Sequence, residues 1–303
     1  MADVAPGIVL YASFPASYED EDVFLHSVEV AAADPYLEVI ELFTFFRSAA
    51  ARVRDILRGS GKRIFLSAGP ETVRSPDGVC AIDARARARA LDAACRMLEQ
   101  ARELGAENLM LVSGPDPGPD DRAAAREALA DSLATLCGLA AAPSPPVGIS
   151  IETFARRRPP RQLIGPTREA VDLLDRVASG HANFGLTVDL SHLVQLGEDP
   201  ERSLRALAGR VRHVHLSTCI TRKGHELFGD RHPSFAHPDV ALRLDEASAA
   251  VRLAVRELGD VDPSARPVVS VEIRPRAGED PRAVYEIARS ELRHAIAHAV
   301  AAS

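Results

Sequence analysis

Tryptophan is absent, and aromatic residues make up only 5% of the 303-residue chain. A sugar site that stacks a pyranose on an indole is therefore excluded. Recognition has to rest on hydrogen bonds, charge or a metal, which suits an acidic, phosphorylated or non-pyranose substrate better than a neutral sugar. Only four cysteines occur, Cys80, Cys95, Cys137 and Cys219, scattered and with no CxxC pair. That excludes a disulfide framework and a zinc knuckle, and it fits a reducing, cytoplasmic setting. No apolar run approaches the length of a membrane span. The N-terminus is acidic and lacks a basic stretch followed by an apolar one, so no signal peptide is expected. Positive charge is in deficit, with 36 Lys and Arg against 43 Asp and Glu for a net charge of −7. Nucleic acid gripped through general electrostatics is not the expected partner. Gly-rich phosphate loops are missing too: the first turn reads Tyr11-Ala12-Ser13-Phe14-Pro15, and no P-loop occurs elsewhere.

What is present is alternation. At 46% hydrophobic residues the chain can bury one large core. Strands are expected at Ile8–Tyr11, Leu37–Leu42, Arg63–Ser67, Asn108–Val112, Val147–Ile151, Phe184–Val188, Val211–Leu216 and Pro267–Val271. Helices are expected at Glu19–Ala33, Ser48–Arg58, Asp83–Leu104, Asp120–Ala141, Thr167–Ala178, Pro200–Ala208, Leu242–Leu258 and Pro281–Ala299. Eight βα units of this kind predict a parallel sheet covered by helices. Their number and length predict a (β/α)8 TIM barrel, a single domain over residues 1–303, with its chemistry at the C-terminal strand ends. No interdomain linker is visible, and Pro143–Pro146 reads as a surface loop.

Four strand ends carry groups that bind metals. Strand five ends Ser150-Ile151-Glu152, and strand six ends Thr187-Val188-Asp189 with His192 three residues on. Strand seven ends His213-Val214-His215, and strand eight ends Ser270-Val271-Glu272. Side chains alternate along a strand, so Ser150, Thr187, His213 and Ser270 lie one layer beneath the four terminal groups. Several are small or polar, as expected of groups that orient metal ligands. Three carboxylates meeting in one barrel mouth repel each other unless a cation neutralises them. With one imidazole they suit Mn²⁺, Mg²⁺ or Co²⁺ better than a thiolate-seeking ion.

The segments Ile151-Glu152, Thr187-Val188-Asp189-Leu190-Ser191-His192, Val214-His215-Leu216 and Val271-Glu272 resemble the signature of the xylose-isomerase-like TIM barrels. That superfamily includes sugar phosphate isomerases and epimerases, inosose and 3-dehydroshikimate dehydratases and, more distantly, endonuclease IV. The resemblance runs over essentially the whole chain, and Asp-x-x-His is its most specific piece. It implies that Glu152, Asp189, His215 and Glu272 hold one divalent metal per chain. Mn²⁺ is the expected ion, with Mg²⁺, Co²⁺ or Zn²⁺ as alternatives. It also implies that Glu152 and Glu272 act as paired acid–base groups, that His192 touches substrate, and that the chain assembles as a homodimer or homotetramer. Gly229-Asp230-Arg231-His232 resembles the Asp-x-His of endonuclease IV, so His192, Asp230 and His232 form a candidate second metal site. The histidines that endonuclease IV carries after strands three and four are missing here, where Leu66-Ser67-Ala68-Gly69 and Val112-Ser113-Gly114-Pro115 stand. A three-metal cluster cannot be complete.

The leading expectation is a metal-dependent isomerase or epimerase of a small polyhydroxylated carbonyl compound, with proton abstraction giving a stabilised enediolate. A dehydratase needs the same first step and then an acid such as His192. A phosphodiesterase or endonuclease is the third alternative. Arg274, two residues beyond Glu272, is a candidate substrate contact. Arg156, within the run Arg156-Arg157-Arg158 and near Arg161, reads either as a solvated loop or as an anion contact. Arg222, Lys223 and His225 are placed to close over substrate. Glu41 reads as support beneath the site or as a substrate contact. His213 reads as structural or functional, and Cys219 as exposed at the mouth without a role.

Overall fold

A computed structural model describes residues 4–43, 47–73, 75–142, 145–156, 161–261 and 266–301. Pro143, Ser144, Arg157 and Arg158 lie outside them. Eight parallel strands close into a barrel in chain order. They are β1 (Ala5–Val9), β2 (Val39–Phe43), β3 (Arg63–Ser67), β4 (Asn108–Val112), β5 (Gly148–Glu152), β6 (Phe184–Asp189), β7 (Val211–Leu216) and β8 (Val268–Val271). The last pairs with the first through Ala5–Val268 to Ile8–Val271. Helices follow the strands as the alternation requires: α1 (Leu10–Ser13) and α2 (Glu21–Ala33), α3 (Ala50–Leu57), α4 (Gly69–Thr72) and α5 (Ala84–Leu104), and α6 (Arg122–Ala140). Beyond β5 come α7 (Thr167–Val177), α8 (Leu190–Leu196) and α9 (Pro200–Ala206), α10 (Leu244–Val261) and α11 (Pro281–Ala301). No helix among the described residues is long and apolar enough to cross a membrane.

The long helices begin and end where local chemistry dictates. The Asp83 carboxylate accepts from Ala86 N at 2.8 Å to cap α5, and Gly105 closes it at φ +68°, a conformation glycine adopts without a Cβ clash. The helical faces pack Leu98, Ala101, Leu129, Leu133, Leu174 and Leu292 against the outside of the barrel, all essentially buried.

The first strand and three short helices, α1, α4 and α8, depart from the sequence reading. The first strand starts three residues earlier than expected, because Ala5 N donates to Pro267 O and Glu38 N to Pro6 O. Proline is tolerated there, since its missing donor is not needed at that ladder position. The chain then turns helical at Leu10, which carries Tyr11 over the barrel mouth. The last of the added helices is α8. Asp189 caps it by accepting from His192 N at 3.0 Å, and Gly197 ends it at φ +78°.

β7 carries one extra residue against β6. Leu186 pairs with Val211, but Thr187 pairs with His213 and Asp189 with His215, so Arg212 is skipped. A bulge of this kind changes which side chains face the barrel from that point on. The Arg212 side chain lies over two glycines. A Cβ on Gly185 would stand 2.7 Å from Arg212 Cγ and 2.9 Å from the Arg210 carbonyl, and one on Gly148 would stand 2.9 Å from Asn108 Oδ1. Gly185→Ala should therefore destabilise the fold by about 1–3 kcal/mol, the usual cost of overpacking a filled interior. Denaturant midpoints measure it, and an unchanged midpoint would contradict the packing described.

Beneath the mouth the barrel interior is polar. Asn108 donates to Ser150 Oγ, which lies 2.9 Å from Thr187 Oγ1, and His213 Nε2 lies 2.7 Å from Ser270 Oγ. Buried polar groups of this kind persist only when they bond one another.

Candidate active site

Glu152, Asp189, His215 and Glu272 meet at the C-terminal end of the barrel, each offering an atom within 4.8 Å of the others. Adjacent registers put them there: Asp189 pairs with His215, and Glu272 N still donates to Leu216 O just past the end of β8. His215 Nδ1 is 3.3 Å from Glu272 Oε2, 3.5 Å from Glu152 Oε1 and 3.9 Å from Asp189 Oδ2. That nitrogen is buried and has no hydrogen-bond partner. The other ring nitrogen, Nε2, is 2.9 Å from Glu41 Oε2. A ring nitrogen held open towards three carboxylate oxygens, with its opposite nitrogen anchored, fits a divalent cation with O and N ligands.

Charge is balanced inside the cluster. Burial would push the His215 imidazole down, but Glu41, Glu152 and Glu272 outweigh it and hold it well above its ordinary value. Burial raises Glu152. Burial would raise Glu272 as well, yet the neighbouring His232, His215 and Arg274 hold it well below the carboxylate range. Asp189 is fixed by its neighbours. Its Oδ1 accepts from His192 N, from Ser191 Oγ at 2.6 Å and from Ser217 Oγ at 2.8 Å.

A cavity of about 640 Å³ opens above the cluster. Its lining includes the polar groups Glu152, His192, Asp230, His232, Glu272 and Arg274 and the rings of Tyr11, Tyr18, Phe154 and Phe228. His192 stacks on Phe154 with ring centroids 4.2 Å apart, and its Nε2 stands 3.7 Å from Glu152 and 3.8 Å from Asp230. Arg274 donates to Glu272 Oε1 at 3.1 Å. The sequence matches the family model of the xylose isomerase-like TIM barrel over residues 26–254. The chain belongs to that family.

No curated protein matches the sequence. Solved structures do share the fold of this xylose isomerase-like barrel. An IolI protein with a bound zinc atom superposes at a TM-score of 0.71 with 17% identity, covering 97% of this chain and 98% of its own. D-psicose 3-epimerase of Clostridium cellulolyticum H10, solved with D-tagatose, gives 0.68 and 16% with 98% of both chains covered. An AP endonuclease of family 2 from Brucella melitensis gives 0.65 and 22%, covering 95% of this chain and 99% of that one. At these identities the likeness carries the fold.

Several residues expected to contact substrate lie away from this cavity. Arg156 is bonded to Glu169 and the Leu163 carbonyl, lies 3.7 Å from Asp116, and does not line the cavity. Its guanidinium ties the loops after β4 and β5 together. Arg222 is 64% exposed and donates to Asp239 at 2.7 Å, also away from the cavity, and His225 turns to the same carboxylate. The part of that loop which does face the cavity is Phe228 to His232. Glu41 is 1% exposed and touches His215 instead of the cavity. Cys219 is buried, its thiol 3.5 Å from the Ser191 carbonyl. His213 is structural in its contacts: burial, with help from His215, holds it well below its ordinary value, so it stays a neutral partner of Ser270.

Tyr11, Tyr18, Phe154 and Phe228 were missed by the sequence reading. Phe154 had a signal, since it stands two residues beyond Glu152. Tyr11 has none, because the sequence pattern places it in the first strand, which ends at Val9.

His232 is the only described non-glycine residue at positive φ, +42°, a strained setting of the kind found at functional sites. Its Nε2 is 2.6 Å from Asp230 Oδ1 and 3.5 Å from Glu272 Oε1. Burial would lower this imidazole, but Glu272 and Asp230 push it up to about 9. The stabilisation is complete below the unfolded value of 6.5 and is lost as pH rises through about 9. For the metal-free protein, melting temperature should fall across that interval, by on the order of 3 kcal/mol of stability. His232→Asn should make the slope shallower, leaving the share that the raised His215 contributes, and a wild-type slope in that variant would contradict the pairing.

Proposed function

We propose that the chain is a divalent-metal-dependent isomerase or epimerase of a small polyhydroxylated carbonyl compound. The observation that carries the reading is the open Nδ1 of His215, facing Glu152, Asp189 and Glu272 at 3.3–3.9 Å in the floor of a substrate-sized cavity. We assign Glu152, Asp189, His215 and Glu272 as the ligands of one ion. A cation held there would polarise a carbonyl and a neighbouring hydroxyl and stabilise the charge left when carbon loses a proton. Glu152 and Glu272 both line the cavity, so one can take the proton and the other return it. His192 and Arg274 hold substrate oxygens, and Phe154 keeps water from that side.

Incubation of the Mn²⁺-loaded protein with keto-sugars in D₂O tests this. Deuterium appearing at one carbon, without loss of water, is the expected result; no exchange with any keto-sugar or cyclic polyol ketone would remove the reading. Dehydration is the second reading, supported by His192 Nε2 standing 3.7 Å from Glu152 on the cavity wall, where an acid is needed. An ultraviolet-absorbing enone would favour it. Asp189, His192 and His232 also place ligand atoms within 4.8 Å of one another, while Asp230 is in contact with His232. A second ion held by His192, Asp230 and His232 is therefore a question for metal counting, and one ion per chain removes the hydrolase reading.

A further inference from the structure

Beneath the proposed metal ligand lies a chain of hydrogen bonds that reaches the cavity on its other side. Glu41 sits at its centre. Its Oε2 is 2.9 Å from His215 Nε2, and its Oε1 accepts from the Tyr11 hydroxyl at 2.9 Å. The Tyr11 oxygen is in turn 3.0 Å from Ser67 Oγ. Glu41 and Ser67 are buried away from the cavity, whereas Tyr11 lines it.

The directions of these bonds follow from the groups. A carboxylate only accepts, so the proton of the neutral imidazole must sit on Nε2, which leaves the Nδ1 lone pair aimed at the three carboxylates. The phenol has one proton, and Glu41 takes it, so Ser67 is placed to donate to the phenol oxygen. Glu41 is also hemmed in from below. His213 Nδ1 lies 3.3 Å from its Oε2 without an aligned hydrogen bond, and the His213 ring stands edge-on to His215 at 4.6 Å. With His213 held by Ser270, the Glu41 carboxylate has little room to rotate away.

We propose that Tyr11 and Glu41 are positioning residues, which set the tautomer and orientation of His215 and make metal affinity depend on a residue of the substrate cavity. The proposal rests on His215 being a metal ligand. Neither residue touches the ion. Tyr11 stiffens Glu41, and Glu41 stiffens the imidazole; a substrate that displaces the phenol would loosen the ion's histidine.

The test uses the full-length protein with Mn²⁺ as probe and a competing chromophoric chelator. Glu41→Gln should lower Mn²⁺ affinity roughly 10–100-fold, the usual effect of removing a partner that orients a ligand. Tyr11→Phe should lower it roughly two- to tenfold, as loss of one hydrogen bond does. The double variant should fall short of the product of the two effects, because both act through one carboxylate. A readout independent of the ion is the ¹⁵N spectrum of His215 in the metal-free protein. Its Nε2 proton should exchange faster in Tyr11→Phe than in wild type, a change that simple loss of packing at Tyr11 would not bring. If wild type binds no Mn²⁺, the metal reading itself fails. If wild type binds and both folded variants bind equally well, or the two effects simply multiply, the positioning role is overturned. Should Glu41→Gln not fold, Tyr11→Phe alone decides, through its affinity and its spectrum.

Discussion

Glu152→Gln and Glu272→Gln should each lower kcat by roughly 10²–10⁴-fold, the range a positioned acid or base contributes. Glutamine keeps the side-chain length and one oxygen, so packing is spared while proton transfer is lost. The two variants should not behave alike. Glu272 is held well below the carboxylate range by His232, His215 and Arg274, whereas burial keeps Glu152 raised. These directions describe the metal-free cluster; a cation held by both carboxylates would favour the ionised form of each, so the exchange pattern is what tells the abstracting group from its partner. In D₂O, the variant that loses the abstracting group should show no wash-in. The other should show wash-in into recovered substrate without conversion. Full turnover in either variant would remove the paired mechanism.

Stripping the protein of divalent metal should abolish turnover and lower its melting temperature, and Mn²⁺ should restore both. With metal a thousandfold above its dissociation constant, the lost stabilisation is about 4 kcal/mol. The pH dependence has a definite sign. Without an ion, Glu41, Glu152 and Glu272 raise His215 well above its ordinary value, so a proton and a cation compete for its Nδ1. Metal affinity should rise with pH as that proton is lost. Isothermal titration in buffers of different ionisation enthalpy should show proton release on binding. A melting temperature indifferent to chelation would mean that the four residues do not hold an ion.

The alternation of strands and helices was readable because each is long and apolar on a fixed period, and the barrel follows from that. The four strand-end groups were readable for a similar reason: a strand's period of two says which residues share a face with its last one. What escaped the sequence lies in irregular backbone. Tyr11 belongs to a helical turn where a strand was expected, and α8 is a short helix capped by Asp189, the same side chain that faces His215. Arg156 and Arg222 were plausible as anion contacts by position, but nothing in a sequence says that Glu169 and Asp239 lie within reach of them. Long-range ion pairs are properties of the folded loops.

The extra residue in β7 has a bearing on how such a chain can change over time. Loops between the elements can lengthen or shorten and leave the strand ends where they are, which is why barrels of one family carry such different loops. Arg212 shows that β7 accepts one extra residue ahead of His213, the ladder resuming with Thr187 opposite His213 and Asp189 opposite His215. A residue gained or lost between His213 and His215 would instead carry His215 out of phase with Asp189, and the imidazole would leave the carboxylates in a single step. The count of residues over that last stretch of β7 is therefore inherited with the site.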